Sequence, residues 1–90
     1  MYKLTVKTCK SNIPFYVELT SVMCKSESDV FNYIKTYIKS LQEKIGTDYS
    51  SVSNNRPAII NGKKIYCSAT AYINGNTPSE NYKFYAEKVN

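Results

Sequence analysis

The chain contains no histidine and no tryptophan, only three glycines, and a single arginine beside eleven lysines. Each shortage excludes something. Without histidine, the usual general base of enzymes and the commonest metal ligand are both missing. Gly46, Gly62 and Gly75 stand too far apart to form a phosphate-cradling loop of the Walker or dinucleotide type. The seven carboxylates offer no close pair placed by one element for acid–base work. Cys9, Cys24 and Cys67 have no histidine to activate them. The sequence therefore assigns no catalytic residue, and the expectation is a non-enzymatic protein with no cofactor and no metal site.

Other absences bear on location. No apolar run approaches the roughly 20 residues that a membrane span needs. Met1 to Lys7 alternates where a signal peptide would be continuously apolar, and no Asn-x-Ser/Thr triplet occurs. A cytoplasmic protein without membrane contact is expected. The three cysteines are odd in number and widely spaced, which suits neither a disulfide framework nor a zinc site. Cys9 and Cys24 should lie near opposite ends of one hairpin, roughly 25 Å apart at the rise of an extended strand. Reduced thiols are expected, with Cys67 a core residue.

What is present suits one small folded domain spanning residues 1–90. A chain of 90 residues with 42% apolar and 21% charged residues is ordinary for a globular protein and argues against disorder. The net charge of +5 favours acidic partners, or simply keeps a small domain in solution.

The organising segment is Ser26 to Ile45, where Val30, Phe31, Ile34, Tyr37, Ile38, Leu41 and Ile45 recur at helical spacing. Asn32, Lys35, Thr36, Lys39, Gln42 and Glu43 fall on the opposite side. Ser26 with Asp29 three residues on, or Ser28 alone, provides an N-cap, and Lys44 and Gly46 are stop signals. Such a helix cannot stand alone in water, so the rest of the chain must supply a surface for its apolar stripe.

That surface reads as short alternating strands. Tyr2, Leu4 and Val6 alternate with Lys3, Thr5 and Lys7. After a turn at Lys10–Pro14, Phe15, Val17 and Leu19 alternate with Tyr16, Glu18 and Thr20. Both apolar sets turn the same way when the numbers of opposed residues add to an odd sum: a sum of 25 sets Lys7 opposite Glu18 and Thr5 opposite Thr20, and a sum of 23 meets the same condition. Thr47 to Pro57 is polar and aperiodic and reads as a mobile surface loop. Asn61-Gly62 between Ala58–Ile60 and Lys63–Tyr66 is a strong hairpin signal, because a type I′ turn needs positive φ at both central positions. The strand that follows places Ile65, Cys67, Ala69, Ala71 and Ile73 on one side, with small residues where the helix must approach. A turn at Asn74–Ser79 leads to a last strand in which Tyr82, Phe84 and Ala86 alternate with Lys83, Tyr85 and Glu87. The expected architecture is α+β in the order β-β-α-β-β-β, a mostly antiparallel sheet with one amphipathic helix on one face.

One helix covers one side of a sheet, so the other side meets water or a partner. That side should carry Lys3, Thr5, Lys7, Tyr16, Thr20, Tyr66, Tyr72, Lys83 and Tyr85; a register of odd sum such as 155 would set Tyr72 opposite Lys83 and Thr70 opposite Tyr85. Lys3, Lys7, Tyr16, Tyr66, Tyr72, Lys83 and Tyr85 are the candidate partner-binding residues. Tyrosine supplies contact area at low entropy cost in protein interfaces. Tyrosine with lysine also suits single-stranded DNA or RNA, with rings on bases and ammonium groups on phosphates. The plain alternative is that Tyr and Thr favour strands everywhere and need no ligand. Tyr33 and Tyr37 flank the helix stripe as core-edge residues, while Lys35, Lys39, Arg56, Lys63 and Lys64 read as solvated charge.

Richness in Lys, Asn, Ile and Tyr is what AT-rich genomes encode, as in phage and mobile-element accessory proteins. On that association the expected role is binding and inhibition of a host protein complex, in defence or nucleic-acid processing, in an anti-CRISPR-like manner. Direct nucleic-acid binding is the second reading. Either a monomer or a homodimer through an edge strand or the tyrosine face is compatible with the pattern.

Overall fold

A computed structural model describes residues 1–73 and 78–89. Six strands and one helix follow one another as β1 (Tyr2–Lys10), β2 (Val17–Cys24), α1 (Glu27–Gln42), β3 (Tyr49–Asn54), β4 (Ala58–Ile60), β5 (Lys64–Ile73) and β6 (Ser79–Lys88). They form one antiparallel sheet in the order β2-β1-β6-β5-β3, with β4 also pairing with β5. The α+β architecture matches the sequence reading, with one strand more than expected.

The helix forms where the periodicity places it. Ser26 is its N-cap, accepting a hydrogen bond from the Asp29 backbone N–H at 3.3 Å, and Glu27 and Asp29 lie in the first turn, where the helix dipole favours negative charge. Val30, Ile34, Ile38 and Leu41 are buried. Beneath them lie Tyr2, Leu4 and Val6 of β1, Ile65, Cys67, Ala69 and Ala71 of β5, and Tyr82, Phe84 and Ala86 of β6. Leu4, Val30, Ile34, Ile65 and Phe84 are almost wholly shielded, and burial of each such side chain contributes roughly 1.5–3 kcal/mol. Every buried side-chain nitrogen or oxygen among the described residues has a hydrogen-bond partner, so no unpaired polar group offsets that gain.

The helix ends earlier than the apolar pattern suggests. Gln42 is its last residue and Glu43 its C-cap, so Lys44 and Ile45 lie beyond it and Ile45 is exposed. The Lys44 carbonyl accepts bonds from the backbone N–H groups of Thr47, Asp48 and Tyr49 and from the Thr47 hydroxyl. Gly46, at φ +92°, lets the chain reverse there.

The stretch expected to be a mobile loop contains β3, with Tyr49 buried and Val52 half-buried against the core. The strand was hidden because its register slips between Tyr49 and Ser51. The slip puts its inward apolar positions three residues apart rather than two, and the serines between them are polar.

A similar irregularity displaces β2. Lys7 does face Glu18, but a bulge follows, and Thr5 pairs with Ser21 and Val6 with Thr20. Thr20 therefore shares a side with Val6, contrary to expectation. Cys24 and Val22 supply the apolar contacts to the core, while Phe15, Val17 and Leu19 are exposed.

The hairpin at Asn61-Gly62 has the backbone that its residues favour, with φ +53° and +66°, and Lys63 extends it by one residue before Ile60 pairs with Lys64. Of the expected turn at Asn74–Ser79, Asn74 to Thr77 lie outside the described residues. Pro78 accepts a bond from the Ile73 backbone N–H at 3.0 Å. Cys9, Cys24 and Cys67 are all free thiols.

Candidate functional site

The sheet face away from the helix is laid out by two regular registers, β1 with β6 and β5 with β6. Lys7 on β1 stands opposite Lys83 on β6, and Lys83 stands opposite Ser68 on β5. One row along, Thr5 faces Tyr85, and Tyr85 faces Tyr66. In the next row, Lys3 faces Glu87, which faces Lys64. Residues paired in this way project from the same side of a sheet.

The two central rows enclose a hollow of about 370 Å³ lined by Thr5, Lys7, Glu18, Tyr66, Lys83 and Tyr85. Tyr16, carried by the segment that leads into β2, presents its ring to Lys83, whose Nζ lies 4.2 Å from the ring centre. This is close enough for attraction between the ammonium charge and the π face. On the other flank, Lys64 Nζ lies 6.0 Å from the centre of the Tyr85 ring. The neighbouring Tyr85 hydroxyl, and after it the charge of Glu87, holds the Lys64 ammonium above the ordinary lysine range.

Five of the seven candidate residues thus come together: Lys7, Tyr16, Tyr66, Lys83 and Tyr85. Lys3 lies at the margin, beside Glu87. Tyr72 does not join them. It faces Ser79 and Ser51, because β5 and β6 pair several residues out of step with the expected register, in which Tyr72 faced Lys83 and Thr70 faced Tyr85. Thr70 instead pairs with Asn81, and its hydroxyl donates to Asn81 Oδ1 at 2.9 Å.

Three residues of this face were missed. Lys64 and Glu87 alternate in phase with Tyr66 and Tyr85, so the pattern contained them. Glu18 was recognised only as a partner for Lys7, and its place beside the hollow depends on the bulge in β2.

Tyrosines on the helix side behave differently. The Tyr49 and Tyr82 hydroxyls lie 3.3 Å apart, and Tyr82 donates to Glu80 Oε2 at 2.9 Å. Tyr37 packs on Tyr82 and edge-on to Phe84, with ring centres 5.9 and 5.3 Å away. Burial, followed by the bonds to Tyr49 and Glu80, pushes the Tyr82 hydroxyl far above the ordinary tyrosine range. These rings form a satisfied polar seam inside the core. Burial also raises the Cys67 thiol, which donates to the Asn55 carbonyl at 3.1 Å.

A broader apolar groove of about 730 Å³ opens between α1 and the Asn54–Pro57 connection, with Phe31, Ile34 and Ile38 on its floor and Lys35, Lys39 and Arg56 among its lining residues. No group of three or more metal-ligating side chains occurs among the described residues. No helix among them is long and apolar enough to cross a membrane. No protein-family model matches the chain, and no curated protein or solved structure matches it either.

Proposed function

We propose that this is a small non-enzymatic binding protein that engages an acidic patch on a partner protein through the outer sheet face, centred on Lys7, Tyr66, Lys83 and Tyr85. The observation that carries this reading is the direct opposition of Lys7 and Lys83 beside a tyrosine-walled hollow. Like charges set opposite one another repel, and an anionic group seated between them would remove that repulsion. The rings of Tyr66 and Tyr85 would supply contact area around it.

Glu18 and Glu87 lie among the four lysines of this face, and a surface of mixed sign suits a folded protein better than a phosphate chain. The composition extends the proposal to a host protein complex, in defence or nucleic-acid processing, held inactive by this contact in the cytoplasm. Single-stranded nucleic acid is the second reading, supported by the excess of lysine over carboxylate around the Tyr66 and Tyr85 rings.

The test is capture of partners from host lysate by the tagged protein, with and without nuclease, repeated with Tyr66→Ala/Tyr85→Ala. A protein that survives nuclease and is lost with the double variant supports the proposal. Partners that vanish with nuclease, or whose binding falls steeply with salt, assign the face to nucleic acid. Partners retained by the double variant overturn the assignment of this face.

A further inference from the structure

The two edges of the sheet are guarded very differently. On one edge, β3 and β4 are short and are separated by the Asn55-Arg56-Pro57 connection, so a neighbouring chain finds no long straight edge to pair with. On the other edge, β2 offers eight residues with β1 on one side and, among the described residues, no strand on the other. Within Val17–Cys24 the only charge is Glu18, and there is no proline. Edge strands of soluble monomers are usually protected by lysine, proline or a covering segment. Here only the bulge near Leu19 interrupts the edge.

Exposed apolar side chains gather at the same place. Twelve large hydrophobic residues stand exposed among the described residues. Six of them, Ile13, Phe15, Tyr16, Val17, Leu19 and Met23, lie on β2 or the segment leading into it. Phe15 is 61% exposed and Met23 55%, in a chain whose other apolar residues are mostly well buried.

We infer that β2 is a self-association edge, and that two copies of this chain pair β2 to β2, antiparallel, into one continuous sheet. A second copy fits this edge for three reasons. The single charge on the strand leaves little like-charge repulsion between identical edges. An antiparallel pair satisfies the free backbone groups of both copies at once. Because the two-fold axis of such a pair stands perpendicular to the sheet, both helices lie on one side and both tyrosine–lysine faces on the other. An eight-residue edge contact is smaller than the standard interface of about 800 Å² per partner, so the dimer dissociates on dilution.

The experiment is sedimentation equilibrium of the intact protein from the low micromolar to the millimolar range, alongside Leu19→Lys and Met23→Lys. Both substitutions are at exposed positions, and circular dichroism would confirm that each variant folds. The inference expects a mass that rises from one chain to two, a dissociation constant raised about tenfold or more by either lysine, and no change with Tyr66→Ala/Tyr85→Ala. A single-chain mass throughout would overturn it. So would a dimer indifferent to both lysines, or one broken by the tyrosine substitutions, which would place the contact on the outer face.

Discussion

Lys7 and Lys83 face each other across β1 and β6 in the middle of the sheet, each with its own compensation. Glu18 stands opposite Lys7 on its other side, and the Tyr16 ring lies against Lys83. Two lysines opposed in this way are poorly explained by stability, because directly opposed like charges cost a few tenths of a kcal/mol or more. Replacing Lys83 with Gln relieves the repulsion but also loses the contact with Tyr16, worth about 0.5–1 kcal/mol at an exposed site. The expected change in unfolding free energy is within about 0.5 kcal/mol, measured by urea titration. Partner binding in the capture assay should fall markedly in the same variant.

Tyr82 makes alkaline stability a test of the buried seam. Its hydroxyl keeps its proton in the folded protein well above the ordinary value of 10.0. In the unfolded chain it ionises near pH 10, so above that point the unfolded state binds fewer protons and the stability contribution is lost as pH rises. Tyr2 and Tyr37 are shifted in the same direction and add to the slope. Tyr82→Phe should cost about 1–2 kcal/mol at neutral pH through its lost hydrogen bonds. It should also flatten the decline above pH 10 relative to the parent, as seen in unfolding titrations at successive pH values. An unchanged slope would show that Tyr82 titrates normally.

At the tip of the β4–β5 hairpin, Gly62 sits at φ +66° with nothing within 4 Å of where a Cβ would be. Gly62→Ala should therefore cost about 1 kcal/mol from backbone strain alone. Asn61→Gly should be nearly neutral, because asparagine already tolerates its φ of +53° there. Thermal unfolding of both variants distinguishes conformational strain from crowding, since crowding has no source at this tip.

Ala71 is fully buried in the core beneath the helix. Ala71→Leu should destabilise by about 1–3 kcal/mol through overpacking, whereas Tyr72→Ala, next to it on the other face and 43% exposed, should change stability by less than about 0.5 kcal/mol. Equal effects would mean that the two faces of β5 had been assigned the wrong way round.

The contrast between those neighbours shows what the sequence made legible. In β1, β5 and β6, apolar and polar residues alternate without interruption, so each inward residue from Leu4 to Ala86 could be assigned to its face from spacing alone. The helix was legible for the same reason. Where a bulge adds a residue, the parity of every later position flips. That shift concealed β3 between Tyr49 and Ser51, and it sent Thr20 to the helix side. Register between strands is a different kind of information. Alternation allows any pairing of matching parity, and nothing in it says that the β5–β6 pairing continues to Tyr72 and Ser79. Spacing alone therefore groups Tyr72 with the candidate residues and reads Lys64 as solvated charge, whereas the register sets Tyr72 beside Ser51 and Ser79 and Lys64 beside Glu87.

The pairing of β1 with β6 has a further consequence. The backbone N–H of Val89 donates to the carbonyl of Met1 at 3.0 Å, so residues 1 and 89 lie side by side. The central contact of the sheet joins segments separated by almost the whole chain, and such non-local contacts slow folding because a large loop must close before they form. A permutant of residues 1–90 in which a short linker joins β6 to β1 and the chain opens instead at Asn61-Gly62 would turn that distant contact into a neighbouring hairpin. It should reach the same sheet by a faster route.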